Sequence, residues 1–150
     1  MRNRGFTFVE VLVAISIMAV IAAIGFPRIR DAMQKQNVRS ARAATQTLVA
    51  KARGAAVARG CVATLNMFSD GRMWVTTCSN AVGAVAGALD TLGGVQQLGG
   101  QFGVTVEPSR DHITFDARGL NVDFISTVVR FRAYGISDST VINEVGKVVH

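Results

Sequence analysis

The chain is poor in the residues that carry most site chemistry. Its 150 residues hold two histidines and two cysteines. The histidines are His112, inside an expected strand, and His150, and no Gly-x-Ser-x-Gly turn supplies a nucleophile with a base beside it. Asp111, His112 and Asp116 follow from strand spacing and turn chemistry, not from a metal-ligand pattern. Cys61 and Cys78, with no nearby histidine, fall short of the ligand count of a zinc site. No catalytic residue, metal or cofactor is expected, and the chain does not read as an enzyme.

Acidic residues are also scarce where basic ones gather. Eight Lys and Arg lie between Arg28 and Arg59 against Asp31 alone, so this stretch is +7 in a chain of net charge +6 and the rest is close to neutral. Val11 to Phe26 has no charged residue at all, and residues 28–59 have no proline. Apolar residues make up 49% and glycine is frequent at 15, a composition neither disordered nor collagen-like.

What is present begins with Gly5-Phe6-Thr7-Phe8-Val9-Glu10, after the basic leader Met1-Arg2-Asn3-Arg4. From Phe6 to Phe26 the chain is long enough, at about 1.5 Å per residue, to cross a hydrocarbon core of ~30 Å. Within it stands one carboxylate, Glu10, at a cost on insertion scales of about 2.5–3.5 kcal/mol, which marks it as functional by default. A signal peptide would explain the basic start and the small residues Ala19, Ala22 and Ala23, but the apolar run is long for one. A plain anchor explains the length and gives Glu10 no role.

A third alternative accounts for both. Residues Gly5 to Ile15, with Pro27 closing the apolar run, resemble the N-terminus of type IV prepilins and type II secretion pseudopilins. The resemblance implies cleavage by prepilin peptidase between Gly5 and Phe6 and N-methylation of Phe6. Phe8 stands where that family often has leucine. After the cut, a cationic amine would head the helix, and Glu10 could pair with the amine of a neighbouring subunit. Glu10 and Pro27 are therefore the expected assembly residues, with Glu10 setting axial register.

Pro27, two residues after Gly25, is expected to kink or loosen the helix. Residues 28–59 read as an amphipathic helix whose apolar stripe is Ile29, Met33, Ala41, Ala44, Leu48, Ala52 and Ala55. Arg28, Asp31 and Lys35 are spaced as a charge ladder. The basic face reads as solvated or set against anionic headgroups, with nucleic acid as the sharper alternative.

Gly60 ends that helix. Cys61–Met67 and Arg72–Thr77 read as a hairpin about the Ser69-Asp70-Gly71 turn, which brings Cys61 and Cys78 to one end. Outside the cytoplasm they read as one disulfide, closing a loop of about 18 residues at roughly 3 kcal/mol; two separate thiols are the alternative. Residues 79–100 read as a flexible loop with a short helical piece at Val85–Leu92. Further strands are expected at Phe102–Glu107, His112–Asp116, Thr127–Tyr134, Thr140–Glu144 and Lys147–His150.

Ile113 to Gly119, Val128 to Arg132, and Gly146-Lys147-Val148-Val149 resemble the FimT/GspH group of minor pilins and pseudopilins. That group often ends in glycine-arginine, where this chain has glycine-lysine. The expected class is α+β: leader 1–5, transmembrane and filament-core helix 6–27, amphipathic helix 28–59, and a β-rich domain 60–150 packed on the helix. The implied role is a minor pilin or pseudopilin that joins or primes a type IV pilus or type II secretion pseudopilus. Its implied partners are other pilins, prepilin peptidase and the inner-membrane assembly platform. The implied location is the bacterial inner membrane, single-pass, with the domain periplasmic until the subunit enters a filament. The alternative is a minor pilin that binds DNA during uptake, through Arg130 and Arg132 on one strand face with Lys147 near them.

Overall fold

The computed structural model describes residues 7–80, 85 and 87–149. The chain divides into two compact units, Met1–Lys35 and Gln36–His150. Helix α1 (Phe8–Arg59) supplies all the secondary structure described in the first unit and the opening element of the second.

In the first unit the helical assignment continues through Pro27. Proline removes one backbone donor, and on an exposed helix the freed carbonyl has room to turn aside. The expected charge ladder does not form: among the described residues no ion pair joins Arg28, Asp31 and Lys35. Arg30 instead lies over the Phe26 ring, 5.0 Å from its centroid.

The second unit is a helix on two antiparallel sheets. The strands are β1 (Ala63–Met67), β2 (Arg72–Cys78), β3 (Leu89–Gln97), β4 (Thr105–Pro108), β5 (His112–Phe115), β6 (Thr127–Ala133), β7 (Ile136–Ile142) and β8 (Val148–Val149). A short helix, α2 (Leu98–Phe102), sits between β3 and β4. One sheet has the order β3-β2-β1-β5 and the other β4-β6-β7-β8. Alternation decides which face is inside. Ala63, Leu65, Met67, Met73, Val75, Ile113 and Phe115 of the first sheet join Val106, Val129, Phe131 and Ile142 of the second in one core.

The helix meets that core through Val38, Ala41, Thr45, Leu48, Val49, Ala52 and Ala56. Ala41, Leu48 and Ala52 belong to the expected stripe, but Ala44 and Ala55 are only half-buried, and Ile29 and Met33 are exposed. Thr45 takes a core position because its hydroxyl donates to the Ala41 carbonyl at 3.0 Å, which removes the cost of burying it.

Residues 79–100 differ from the expectation. The expected flexible loop, with helix at Val85–Leu92, contains β3 and the start of α2. β3 is an edge strand exposed on both faces, so it has no apolar alternation to read. Gly93 and Gly94, both with φ of +74°, bulge between the Met73 and Val75 registers of β2. The Lys51 ammonium fills the space of a Gly93 side chain and donates to the Leu92 carbonyl at 2.8 Å. The last strands also shift. β6 stops at Ala133, and Tyr134 (φ +49°) and Gly135 (φ +83°) form a two-residue hairpin turn that starts β7 at Ile136 rather than Thr140.

The helix ends as expected at Gly60, whose φ of +64° lets Cys61 N donate to the Ala56 carbonyl. Cys61 and Cys78 are joined in a disulfide with Cα atoms 6.3 Å apart. Arg59 reinforces that junction by donating to the Cys78 carbonyl and pairing with Asp90 at 3.2 Å. Converting both cysteines to serine is therefore expected to cost about 3 kcal/mol, the value for a loop of this length. Chemical denaturation of the full chain with and without the bridge would show it; an unchanged midpoint would mean that the hairpin and Arg59 suffice.

Candidate functional site

Two stretches bear on function, one in each unit. In the first, the side chains from Phe8 to Phe26 find no cover: the most apolar window of α1 has a mean hydropathy of 2.5 and none of it is buried. Such a surface is stable only in lipid or against other apolar helices. Thr7 starts the helix, its hydroxyl and carbonyl accepting from Glu10 N at 3.2 and 3.1 Å. This is the backbone half of a Thr-x-x-Glu capping box, a spacing visible in the sequence and missed there. Glu10 itself is exposed and borders the apolar surface of Val11, Ala14, Ile15 and Met18. Gly5 and Phe6, the expected cleavage and methylation residues, lie outside the described residues.

In the second unit, the basic stretch of α1 does structural work that the sequence reading assigned to solvent or headgroups. Arg42 pairs with Asp138 on β7 at 3.0 Å, Lys51 holds the bulge, and Arg59 holds the disulfide junction. Gln46 adds a bond to Thr140 at 3.4 Å. Cations and amides at positions 42, 46, 51 and 59 thus fasten the helix to both sheets. Each required a partner distant in sequence, so helical spacing could not show it.

Arg130 and Arg132 do share the outer face of β6, opposite the buried Val129 and Phe131. They line a shallow recess with Ser137 and Ser139 of β7. Arg132 is occupied, however: its guanidinium pairs with Glu107 of β4 at 3.2 Å. Lys147 is not brought to them. It precedes β8, with β7 between, and lies beyond the Ile142–Val148 pair, whereas Arg130 and Arg132 stand opposite Ser139 and Ser137. Among the described residues no group of three His, Cys, Asp or Glu could hold a metal ion.

A carboxylate at the head of an uncovered apolar helix, followed by a helix-on-sheet domain, points to a globular domain with a membrane-anchoring helix. Comparison with known proteins agrees. The model of the prokaryotic N-terminal methylation motif matches residues 1–26. The type IV minor pilin FimU of Pseudomonas aeruginosa shares the fold in two crystal forms. One has a TM-score of 0.55 and 17% identity over 77% of this chain and 88% of that one. The other has a TM-score of 0.52 and 18% identity over 74% and 90%. No curated protein matches the chain by sequence. The chain is thus similar to type IV pilins twice over, in the methylation motif of residues 1–26 and in the fold it shares with FimU.

Proposed function

We propose that the chain is a minor pilin. It is cut after Gly5, methylated on Phe6 and held single-pass in the bacterial inner membrane with its domain in the periplasm. From there it enters, or primes the tip of, a type IV pilus through the assembly platform. One observation carries this reading: the methylation motif runs directly into an apolar helix with no cover of its own and a single carboxylate at its head. A pilus is preferred to a secretion pseudopilus because the solved structures that share the fold are type IV minor pilins. The engagement of Arg132 by Glu107 and the separation of Lys147 favour a subunit role over DNA capture.

Expression of the full chain with a prepilin peptidase tests the reading. Intact mass is expected to show loss of residues 1–5 and gain of one methyl group, and Gly5→Val to abolish both. Cleavage instead near Ala22 and Ala23 would establish a secretory signal and overturn the proposal.

A further inference from the structure

The sheet β3-β2-β1-β5 turns one face to the core. Strand alternation puts Thr64 and Asn66 of β1, Trp74 and Thr76 of β2, and His112 and Thr114 of β5 on the other. None of these six is aliphatic. Register sets them in two rows across three strands, Trp74-Asn66-His112 and Thr76-Thr64-Thr114. Side-chain contacts tie the rows together: Asn66 Nδ2 donates to Thr76 Oγ1 at 3.2 Å, and the Thr64 and Thr114 hydroxyls are 3.4 Å apart.

Trp74, the one tryptophan of the chain, stands at the β2 end of its row. Its ring is stacked on that of Phe68, with centroids 5.2 Å apart and planes 9° from parallel. The Arg72 guanidinium lies over the Phe68 ring and is itself tied to Asp70 at 2.6 Å. Phe68 stays exposed despite these contacts. At the β5 end, the exposed Asp111 carboxylate is 2.7 Å from His112 Nδ1. Asp111 and Phe68 also line one recess of about 260 Å³, which brings carboxylate and aromatic to the same opening. The His112 imidazole holds the Asp111 carboxyl below its usual range, so it stands there as an ionised acceptor.

We propose that this face binds a neutral saccharide, with Trp74 as the stacking platform and Asp111 and His112 as the hydrogen-bonding rim. A pyranose has an apolar C–H face and an edge of hydroxyls. Aromatic rings suit the first, and carboxylates, amides and hydroxyls suit the second. Two strand spacings put Trp74 and His112 about 10 Å apart, the span of a disaccharide. Charge decides against the other ligand that stacks on aromatic platforms, a single-stranded nucleic acid. Arg72 and Arg110, the cations beside the rings and the recess, are held by Asp70 and Asp123, and Asp111 would repel a phosphate backbone. The inference goes beyond the minor-pilin reading and does not depend on it.

The test titrates the full-length chain, in a detergent without a sugar headgroup, with cellotetraose, chitotetraose and maltotetraose. A saturable change in Trp74 fluorescence is expected with at least one of them, and calorimetry then compares variants. Trp74→Ala is expected to raise Kd about tenfold and Trp74→Phe to restore most of the affinity. Asp111→Asn, a change at an exposed residue that tests the rim even where Trp74→Ala fails to fold, is expected to raise Kd about threefold. No saturable signal with any of the three sugars, or a Kd unchanged by Trp74→Ala or by Asp111→Asn, would overturn the site. Binding of oligothymidylate without binding of any sugar would assign the rings to nucleic acid and overturn it too. Cleavage after Gly5 is read separately, so failure here leaves the pilin assignment standing.

Discussion

Gly146→Ala is expected to lower the stability of the globular domain by about 3 kcal/mol, adding the cost of a left-handed alanine to that of an overpacked core. Gly146 has φ of +84°, and a Cβ there would sit 2.6 Å from the ring of Phe115, which is fully buried. The ring has no free direction, since the surrounding sheet and helix residues form one close-packed core. The turn itself is held at both ends: Gly146 N donates to the Asn143 carbonyl and Lys147 N to the Asn143 side chain. Thermal unfolding of the full chain in detergent, followed by the fluorescence of Trp74, should show a fall of roughly 6–12 °C for a domain of this size. Combining Gly146→Ala with Phe115→Leu should recover part of the clash and none of the backbone cost, giving less loss than the two changes summed. Gly54→Ala supplies the opposite sign. It is an exposed helical glycine with nothing within 4 Å of an added Cβ, and alanine there is expected to stabilise by about 0.5–1 kcal/mol. A Gly146→Ala protein that melts with the parent would show that the turn yields without disturbing Phe115.

Glycines also show where the sequence was readable. Gly60 at the helix end and Gly71 in the hairpin turn both have positive φ, as does Gly146, and the first two are legible from local residues alone. Local signals of this kind need no knowledge of the rest of the fold. The hairpin of β1 and β2, the inward alternation of β6 and the outward placement of Arg130 and Arg132 were legible for the same reason. What failed depended on distant partners. The glycines of α2 argue against a helix, yet Gly99 is where it passes the Gly71 turn closely enough that a Cβ on Gly71 would meet its backbone at 2.6 Å. Ile136-Ser137-Asp138-Ser139 has too little apolar pattern to announce a strand. It is fixed by pairing with β6 and by Arg42, 96 positions away from Asp138. The basic stretch of α1 was legible as charge and not as a set of tethers. At the N-terminus the order reverses: the motif was plain in the sequence, while its residues Gly5 and Phe6 lie outside the described structure.

Glu10→Gln is expected to leave membrane insertion intact and to remove the subunit from filaments. Three roles for the carboxylate differ in size. A favourable placement at the helix N-terminus is worth about 0.3–1 kcal/mol, a few-fold in incorporation at most. The capping contribution resides in the Thr7 oxygens, which accept from the Glu10 backbone and are untouched by the substitution. Pairing with the amine of a neighbouring Phe6 is different, because losing one partner of a charge pair enclosed by apolar helices costs about 3–5 kcal/mol, more than a hundredfold. Glutamine keeps the shape and hydrogen-bonding reach of the side chain and removes only its charge, so it leaves the cap in place and removes both charge effects, which the size of the loss then tells apart. Incorporation would be read as the ratio of subunit in sheared filaments to subunit in membranes, with Thr7→Ala as the comparison expected to cost only ~1 kcal/mol. A loss of two orders of magnitude for Glu10→Gln, beside a several-fold loss for Thr7→Ala, would place the carboxylate in intersubunit pairing. Near-normal incorporation of Glu10→Gln would assign Glu10 to the start of its own helix and leave register between subunits to the apolar surface alone.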